Sequence, residues 1–259
     1  MKILAVGDIV GESGVKKLKE ELPKIKKEKN IDFVITNGEN SAGGMGLNEK
    51  NFKDIMEAGT NVVTMGNHTW GKKDIFKFID NPNLLRPANY PKGVVGKGLG
   101  IYECKGKKIA VMNFLGRVDL NILTENPFVL VKEMVEEIKD EVDMIFIDFH
   151  AEATSEKLAM AYFLDGKVSA VFGTHTHVQT ADEVILPKGT GNITDLGMTG
   201  PQISILGREN NAIIKKFITG MPQKFEIANG KGQFCGCIFD IDEQSGLCTD
   251  IERIFIREK

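Results

Sequence analysis

The sequence predicts an α/β fold whose strands fill two sheets. Through much of the chain, short apolar runs alternate with amphipathic helical segments, a pattern typical of parallel strands covered by helices. In the middle, two strand-like runs are joined by a turn instead of a helix, which indicates the start of a second sheet. After residue 177 the pattern changes to strands and turns. No repeat or linker interrupts the sequence, so we expect one domain over residues 1–259.

The first part of the chain predicts three buried strands, each followed by a helix. The strands are residues 2–6, 33–36 and 61–65, and the helices are residues 15–29, about 48–58 and 72–79. Asn48 is the expected N-cap of the second helix, because its side chain can accept a hydrogen bond from the first turn.

The middle of the chain begins with an irregular, proline-punctuated stretch over residues 81–100. A hairpin follows, formed by residues 100–104 and 108–114. The next predicted elements are a helix at 127–141, a strand at 143–149, a helix at 155–164 with Thr154 as N-cap, and a strand at 168–172.

The last part of the chain predicts short strands and turns. The expected strands are residues 183–186, 225–228, 233–240 and 248–256, with a helical turn or two at 213–218. Residues 188–200 are polar and rich in glycine, and we interpret them as a loop.

Net charge, cysteine content and the length of apolar runs exclude several classes of protein. The net charge is −3 and the pI is about 5.9, which argues against a constitutive polyanion-binding surface and against a stable nucleic-acid complex. The four cysteines are sparse and form no CxxC pair, so a reducing compartment fits. No apolar run is long enough for a signal peptide or a membrane span, so we expect a soluble, cytoplasmic protein. A homo-oligomer is compatible with the sequence.

Five predicted strands end in polar clusters. The clusters are Asp8, Glu39-Asn40, Asn67-His68, His150, and His175 with His177. Ligands collect at the carboxyl ends of strands in open α/β sheets, so these clusters can converge from distant points in the chain. The sequence contains four histidines, and all of them belong to the clusters, which makes purely structural roles improbable. In an extended segment, His175 and His177 would point to the same side of the chain.

The clusters offer oxygen and imidazole ligands without a thiolate. That set suits Mn²⁺, iron or catalytic Zn²⁺ and not a cysteine-type structural zinc site. The ligands exceed what one ion needs, and a pair of ions about 3.5–4 Å apart is an arrangement used for hydrolysis at phosphorus. The sequence thus indicates two metal ions, a metal-activated hydroxide and a small phosphorylated substrate.

The order of these clusters resembles the signature of the calcineurin-like metallophosphoesterases, which runs D-x-H, GD, GNH-[DE], a lone H and GH-x-H. It is most similar to the YmdB-like subfamily of cyclic-nucleotide phosphodiesterases. The matching blocks are Asn37-Gly38-Glu39-Asn40, Gly66-Asn67-His68-Thr69-Trp70, residues 173–182 and residues 197–201. The chain departs from the broad signature at three positions, and the subfamily shares these departures: Val10 replaces a histidine, Glu39 the bridging aspartate, and Thr69 the acidic residue after GNH.

The resemblance implies a four-layer αββα sandwich of two mixed sheets flanked by helices, with a di-iron or di-manganese centre. One ion would be held by Asp8, Glu39, Asn40 and His177, and the other by Glu39, Asn67, His150 and His175. Asn40 could supply the ligand missing at Val10, and His68 would be the general acid. The implied substrates are 2',3'-cyclic nucleotides. Two other functions stay open: a phosphomonoesterase or nuclease with the same metal centre, and a metal-binding regulatory module with little turnover.

Overall fold

A computed structural model describes residues 1–258, in fourteen strands, five α-helices and one 3-10 helix. The strands are β1 (Lys2–Val6), β2 (Asp8–Ile9), β3 (Phe33–Asn37), β4 (Val62–Thr64), β5 (Leu84–Leu85), β6 (Leu99–Cys104), β7 (Lys107–Leu115), β8 (Met144–His150), β9 (Ala170–Thr174), β10 (Val184–Ile185), β11 (Gly191–Ile193), β12 (Met198–Pro201), β13 (Gly232–Ile241) and β14 (Cys248–Arg257). The helices are α1 (Gly11–Lys29), α2 (Glu49–Glu57), α3 (Pro127–Ile138), α4 (Thr154–Phe163), α5 (Asn210–Thr219) and a 3-10 helix at Lys73–Lys77.

The strands form two mixed sheets. The first has the order β2-β12-β13-β1-β3-β4-β5, and β14 pairs with the other side of β13. Within it, β1, β3, β4 and β5 are parallel, whereas β13 is antiparallel to both β1 and β14. The second sheet has the order β10-β11-β9-β8-β7-β6, with four parallel strands between antiparallel edges.

Three apolar clusters separate four layers. Because strand side chains alternate between faces, Leu4 and Val6 of β1 pack with α1 and α2, whereas Ile3 and Ala5 pack against the second sheet. On the far side of that sheet, residues of β8 such as Ile147 pack with α3 and α4. The layer order is therefore helix, sheet, sheet, helix, which confirms the predicted αββα sandwich. Among residues 1–258, no helix combines the length and apolarity that crossing a membrane requires.

Most predicted elements are present, including the Asn48 cap, whose side chain accepts a hydrogen bond from Asn51 N at 2.7 Å. Helix α1 begins four residues earlier than predicted, at Gly11, α3 ends at Ile138, and residues 73–77 form a 3-10 helix. The Thr154 cap was wrong: Ala153 occupies that position without a side-chain hydrogen bond.

Two predictions in the last part of the chain were also wrong. Residues 188–200 contain β11 and most of β12, whose pairing with distant strands overrides a polar, glycine-rich composition that is weak in strand propensity. Residues 225–228 form no strand, and only an isolated bridge joins Ile227 to Arg208. Five of the strands present the predicted polar clusters at their carboxyl ends.

Candidate metal centre

All eight predicted site residues meet at one edge of the sandwich, where strand ends from both sheets come together. Three of the clusters follow strands of the first sheet that are parallel neighbours. Asp8 comes after β1, Glu39-Asn40 after β3, and Asn67-His68 after β4. His150 ends β8, and His175 and His177 follow β9, its parallel neighbour in the second sheet. The parallel pairing within each sheet brings these strand ends to a common edge, as the sequence predicted.

Glu39 is the central side chain and is completely buried. Its Oε1 lies 3.1 Å from His150 Nε2, 3.2 Å from Asn40 Nδ2 and 3.3 Å from His68 Nδ1. Its Oε2 accepts a hydrogen bond from His68 N at 2.9 Å. Burial alone would raise the pKa of Glu39, but the charges of His150 and His68 outweigh it and hold this pKa well below the usual range.

Gly66 allows this close packing. A Cβ at this position would lie 2.4 Å from both Glu39 Oε2 and His150 Nε2, far inside van der Waals contact. The glycine of the Gly66-Asn67-His68 motif is therefore a steric requirement of the site, because any side chain there would push the carboxylate and the imidazole apart.

The tautomer of His150 is set from behind by a hydrogen-bonded relay. Thr174 Oγ1 donates to Asp148 Oδ1 at 2.7 Å, so it accepts from His150 Nδ1 at 2.9 Å. The other ring nitrogen, Nε2, then faces three acceptors: Glu39 Oε1, Asn67 Oδ1 at 2.8 Å and His175 Nδ1 at 3.1 Å. Such a ring of lone pairs needs a cation at its centre.

His175 and His177 are not extended, contrary to the prediction. Strand β9 ends at Thr174, and both histidines have left-handed backbones, with φ of +102° and +64°. The segment turns here because Asp195 accepts hydrogen bonds from Thr176 N at 3.1 Å and Gly197 N at 2.8 Å, tying the histidine turn to a distant loop. The two rings nevertheless reach one site, through a turn instead of strand alternation.

Each of these two histidines presents one nitrogen to the site. His175 Nε2 lies 2.9 Å from Glu152 Oε2, which leaves Nδ1 facing His150. His177 Nδ1 donates to the Leu206 carbonyl at 3.0 Å, which leaves the Nε2 lone pair facing Asp8 Oδ1 at 4.0 Å. The rings therefore face different groups of ligands.

Asp8 provides the clearest sign that an ion belongs here. The residue is fully buried, and burial raises its pKa above the usual value despite the opposing charges of His177 and His150. Its Oδ2 accepts from His175 N at 3.2 Å, but its Oδ1 has no hydrogen-bond partner among residues 1–258. A buried carboxylate oxygen without a partner is costly unless a cation compensates it.

The protonation of His150 supports the same conclusion. Burial would lower the pKa of His150, but the charge of Glu39 outweighs it and raises this pKa to about 9. The carboxylates thus create a negative electrostatic potential that favours a positive charge at this site. Ligand atoms of Glu39, His150 and His175 lie within 4.8 Å of one another, and the oxygen and imidazole donor set fits a divalent or trivalent metal.

Asn40 and His68 are linked. The side-chain oxygen of Asn40 lies 2.8 Å from His68 Nδ1, and its amide nitrogen faces Glu39 Oε1 and His177 Nε2 at 3.2 and 3.1 Å. Asn40 therefore orients His68 in place of the acidic residue that Thr69 replaces. Val10 leaves no open space, because its side chain packs on Gly200 and Gly207.

Sequence reasoning missed three supporting carboxylates. Asp148 lies under the site and bonds Thr174 and Thr64 from both sheets, and burial raises its pKa to about 6. Asp195 forms a buried ion pair with Lys157 at 2.7 Å. The third is Glu152, which contacts His175. A charge inside the apolar run of β8 was the available signal for Asp148, because a buried carboxylate needs partners.

A cleft of about 390 Å³ is lined by four of the eight predicted site residues, which are Asn40, His68, His175 and His177. We call the fully buried Asp8, Glu39 and His150 the floor. The wall consists of Arg208, Lys216, Phe217 and Phe225, on α5 and the segments beside it. His68, whose side chain is 30 % exposed, lies between floor and wall and lines the cleft. A small ligand bound on the floor would therefore extend along the wall.

The comparisons with known proteins agree along the whole chain. A family model described as YmdB-like protein matches residues 4–254. The chain is 51 % identical over 259 residues to the 2',3'-cyclic-nucleotide 2'-phosphodiesterase of Bacillus subtilis (strain 168), covering all of this chain and 98 % of that protein.

Solved structures show the same fold. The crystal structure of a novel phosphatase from Mycoplasma pneumoniae superposes with a TM-score of 0.94 at 38 % identity, covering 99 % of this chain and 93 % of that one. A 5'-nucleotidase from Staphylococcus aureus superposes with a TM-score of 0.64 at 13 % identity, covering 99 % of this chain and 54 % of the other. This second likeness concerns the fold alone.

Proposed function

The chain belongs to the YmdB-like protein family, and from this premise we propose that it hydrolyses 2',3'-cyclic nucleotides at a centre of two metal ions. Its class as a phosphoric ester hydrolase follows from the family and from the names of its relatives. The observation that carries the substrate and the two-ion centre is the pair of ligand groups around Glu39, in a chain 51 % identical to the Bacillus enzyme. In one group the buried Asp8 Oδ1 has no hydrogen-bond partner within residues 1–258, and in the other three acceptors surround His150 Nε2.

Glu39 would bridge the two ions. One group would contain Asp8, Glu39, Asn40 and His177, and the other Glu39, Asn67, His150 and His175. The second group is supported by the three acceptors around His150 Nε2, and the first by the unpartnered Asp8 Oδ1 and the lone pair of His177 Nε2. We propose iron or manganese, with zinc as the alternative, because the donors are nitrogen and oxygen.

When bound, such ions supply Lewis-acid stabilisation of phosphoryl oxygens and lower the pKa of water. The protein's part is to hold the ligands rigid in a buried floor and to manage the proton. His68 is the candidate donor of that proton. A carbonyl oxygen only accepts, so Asn40 holds the Nδ1–H of His68, and Nε2 is the nitrogen left for the cleft.

The reaction would open the ring at the 2'-oxygen. A water molecule loses a proton to solvent, a bond forms between its oxygen and phosphorus, and the bond from phosphorus to O2' breaks. Protonated His68 gives its Nε2 proton to O2', so the product is a nucleoside 3'-phosphate. A positioned general acid contributes about 10²–10⁴-fold to such a step.

Asn40 has one amide oxygen for two demands, which are to accept the hydrogen bond of His68 Nδ1 and to bind a metal ion. To bind an ion with Asp8 and His177, the oxygen must turn away from His68, and the amide nitrogen then faces His68 Nδ1. Asn40→Asp has two oxygens and can meet both demands, whereas Asn40→Ala meets neither. We expect the aspartate variant to keep more metal and more activity than the alanine variant.

Metal analysis coupled to a substrate panel tests the proposal. Protein purified without chelators should contain about two ions per chain. It should hydrolyse adenosine 2',3'-cyclic phosphate faster than adenosine 3'-monophosphate or a linear dinucleotide. Turnover of monoesters alone would replace the proposal with a phosphomonoesterase. An intact cellular role in an inactive Glu39→Gln strain would favour the regulatory module.

A further inference from the structure

Two cations in the wall have no counter-ion. Arg208 and Lys216 both line the cleft, yet within residues 1–258 no carboxylate oxygen lies within 4.0 Å of either side-chain nitrogen group. Burial lowers the pKa of Arg208, and no acidic neighbour opposes that shift. The buried Lys157, by contrast, is paired with Asp195 at 2.7 Å. Uncompensated positive charge at the edge of a ligand cleft is typical of an anion subsite.

The guanidinium of Arg208 is held in place by a neutral group. Its Nη2 donates to the Gly44 carbonyl at 2.7 Å, which fixes the plane without neutralising the charge. Gly44 has a φ of +76°, and a Cβ there would lie 2.8 Å from Arg208 Nη1, so the glycine makes room for the guanidinium. One of five N–H donors is used by this contact, and the planar group keeps donors for a phosphate.

Lys216 is held more loosely. Its Nζ lies 5.1 Å from the centre of the Phe225 ring, a cation–π contact of modest strength at an exposed site. The neighbouring Lys215 is also exposed, but it does not line the cleft. The charge of Lys216 is therefore positioned over the aromatic part of the wall while that of Lys215 lies outside it.

The proposed reaction decides which part of the substrate meets these cations. The cyclic phosphate is on the floor and His68 protonates O2', so the nucleoside extends from His68 along the wall. O2' and O3' belong to the cyclic phosphate and C1' carries the base, so the only free hydroxyl of the ribose is at the 5' carbon. A nucleoside without a 5' substituent would bring no charge to Arg208 or Lys216.

We propose that Arg208 and Lys216 bind a second phosphate, and that the preferred substrates are nucleoside 2',3'-cyclic phosphates carrying a 5'-phosphoryl group. This inference rests on the proposed function. The second phosphate can be a terminal monoester, or the diester that links the nucleoside to the rest of a short oligoribonucleotide. A site for one extra phosphate agrees with a net charge of −3, which does not suit long nucleic acids.

The test compares three substrates on metal-loaded enzyme: adenosine 2',3'-cyclic phosphate, its 5'-phosphorylated form, and the dinucleotide ApA ending in a 2',3'-cyclic phosphate. We expect the 5'-phosphoryl group to raise kcat/KM about tenfold or more, with a gain that shrinks as salt is added. The ratio between substrates is compared in wild type, Arg208→Gln, Lys216→Ala and the matched control Lys215→Ala. It should fall below about threefold in the first two variants and stay unchanged in the control.

Product binding gives a readout independent of turnover. Calorimetry should show adenosine 3',5'-bisphosphate binding about tenfold more tightly than adenosine 3'-monophosphate to wild type, and nearly equally to Lys216→Ala. A gain with the mononucleotide identifies the monoester as sufficient, and a gain with the dinucleotide alone identifies the diester. No gain with either substrate, or the same gain in every variant, overturns the inference while leaving the proposed function intact. Absence of turnover on all three substrates overturns both.

Because Arg208 also contacts Gly44, its variant could lose the fold, and circular dichroism checks this. Among the described residues, the ammonium group of Lys216 contacts only the Phe225 ring, so Lys216→Ala keeps the test decisive.

Discussion

The floor and the wall of the cleft are built in opposite ways. Floor side chains are completely buried, and Glu39 contacts two predicted ligands, Asn40 and His150. Glu39 also contacts His68, the predicted general acid. The wall is more open: Phe217 is 83 % exposed, Lys216 is also exposed, and Arg208 and Phe225 are half-buried. The two cations of the wall have no ion pairs within the described residues. The contrast indicates that the floor is fixed before a substrate arrives, as electrostatic catalysis requires, whereas the wall supplies binding and selectivity.

The largest expected effect comes from changing the floor at Glu39. Glu39→Gln removes the bridging charge while keeping the shape of the side chain. We expect loss of both ions and a kcat lower by about 10³-fold or more, because several kcal/mol of charge stabilisation disappear. Elemental analysis and steady-state kinetics on the same preparation measure both effects.

Glu133→Gln is the matched control for that variant. Glu133 is exposed on α3 and does not line the cleft, so metal content should remain. A Glu39→Gln protein with two ions and normal turnover would show that the floor does not act as a unit.

His68 lies between floor and wall and should affect chemistry without affecting metal. We expect His68→Ala to retain its ions and to turn over about 10²–10⁴-fold more slowly. The sharp control is a substrate with a p-nitrophenolate leaving group, which needs no proton. Its rate should fall much less, and an equal fall on both substrates would contradict the general-acid role.

Thr174 tests whether support behind the floor matters. Thr174→Val removes the hydroxyl that joins His150 to Asp148 and keeps the side-chain shape. Groups that orient a metal-binding histidine typically contribute about 10–100-fold to metal affinity, so competition with a chelator should show a loss of that size. Thr176→Val is the control, because within residues 1–258 the only hydrogen-bond partner of its hydroxyl is the Val178 carbonyl at 3.5 Å. Equal affinities in both variants would show that the relay is unimportant.

The same contrast separates what the sequence could predict from what it could not. Apolar runs ending in polar residues predicted the sheets and all the floor residues, because strand ends in a parallel sheet share an edge. The left-handed turns of His175 and His177 depend on Asp195, which lies far along the chain. The local sequence pattern around the two histidines therefore could not predict that contact.

The support behind the floor was hidden for a similar physical reason. Asp148 stands within an apolar run, and its partners Thr64 and Thr174 belong to both sheets. Strands β11 and β12 are stabilised by pairing with β9, β2 and β13, not by their own propensity. Features that depend on contacts between distant segments therefore became visible only in three dimensions.

The smallest expected effect concerns the wall, at Phe217. If this exposed ring stacks on a nucleobase, Phe217→Ala should raise KM about fivefold, near the low end for base stacking, with kcat and metal content unchanged. Ile218→Ala is the matched control: that side chain is 78 % exposed on the same helix but does not line the cleft. Kinetics with adenosine and uridine 2',3'-cyclic phosphates should show a larger KM increase for adenosine, whose base stacks over more area. A change in kcat with an unchanged KM would place Phe217 in the chemistry and remove the distinction between floor and wall.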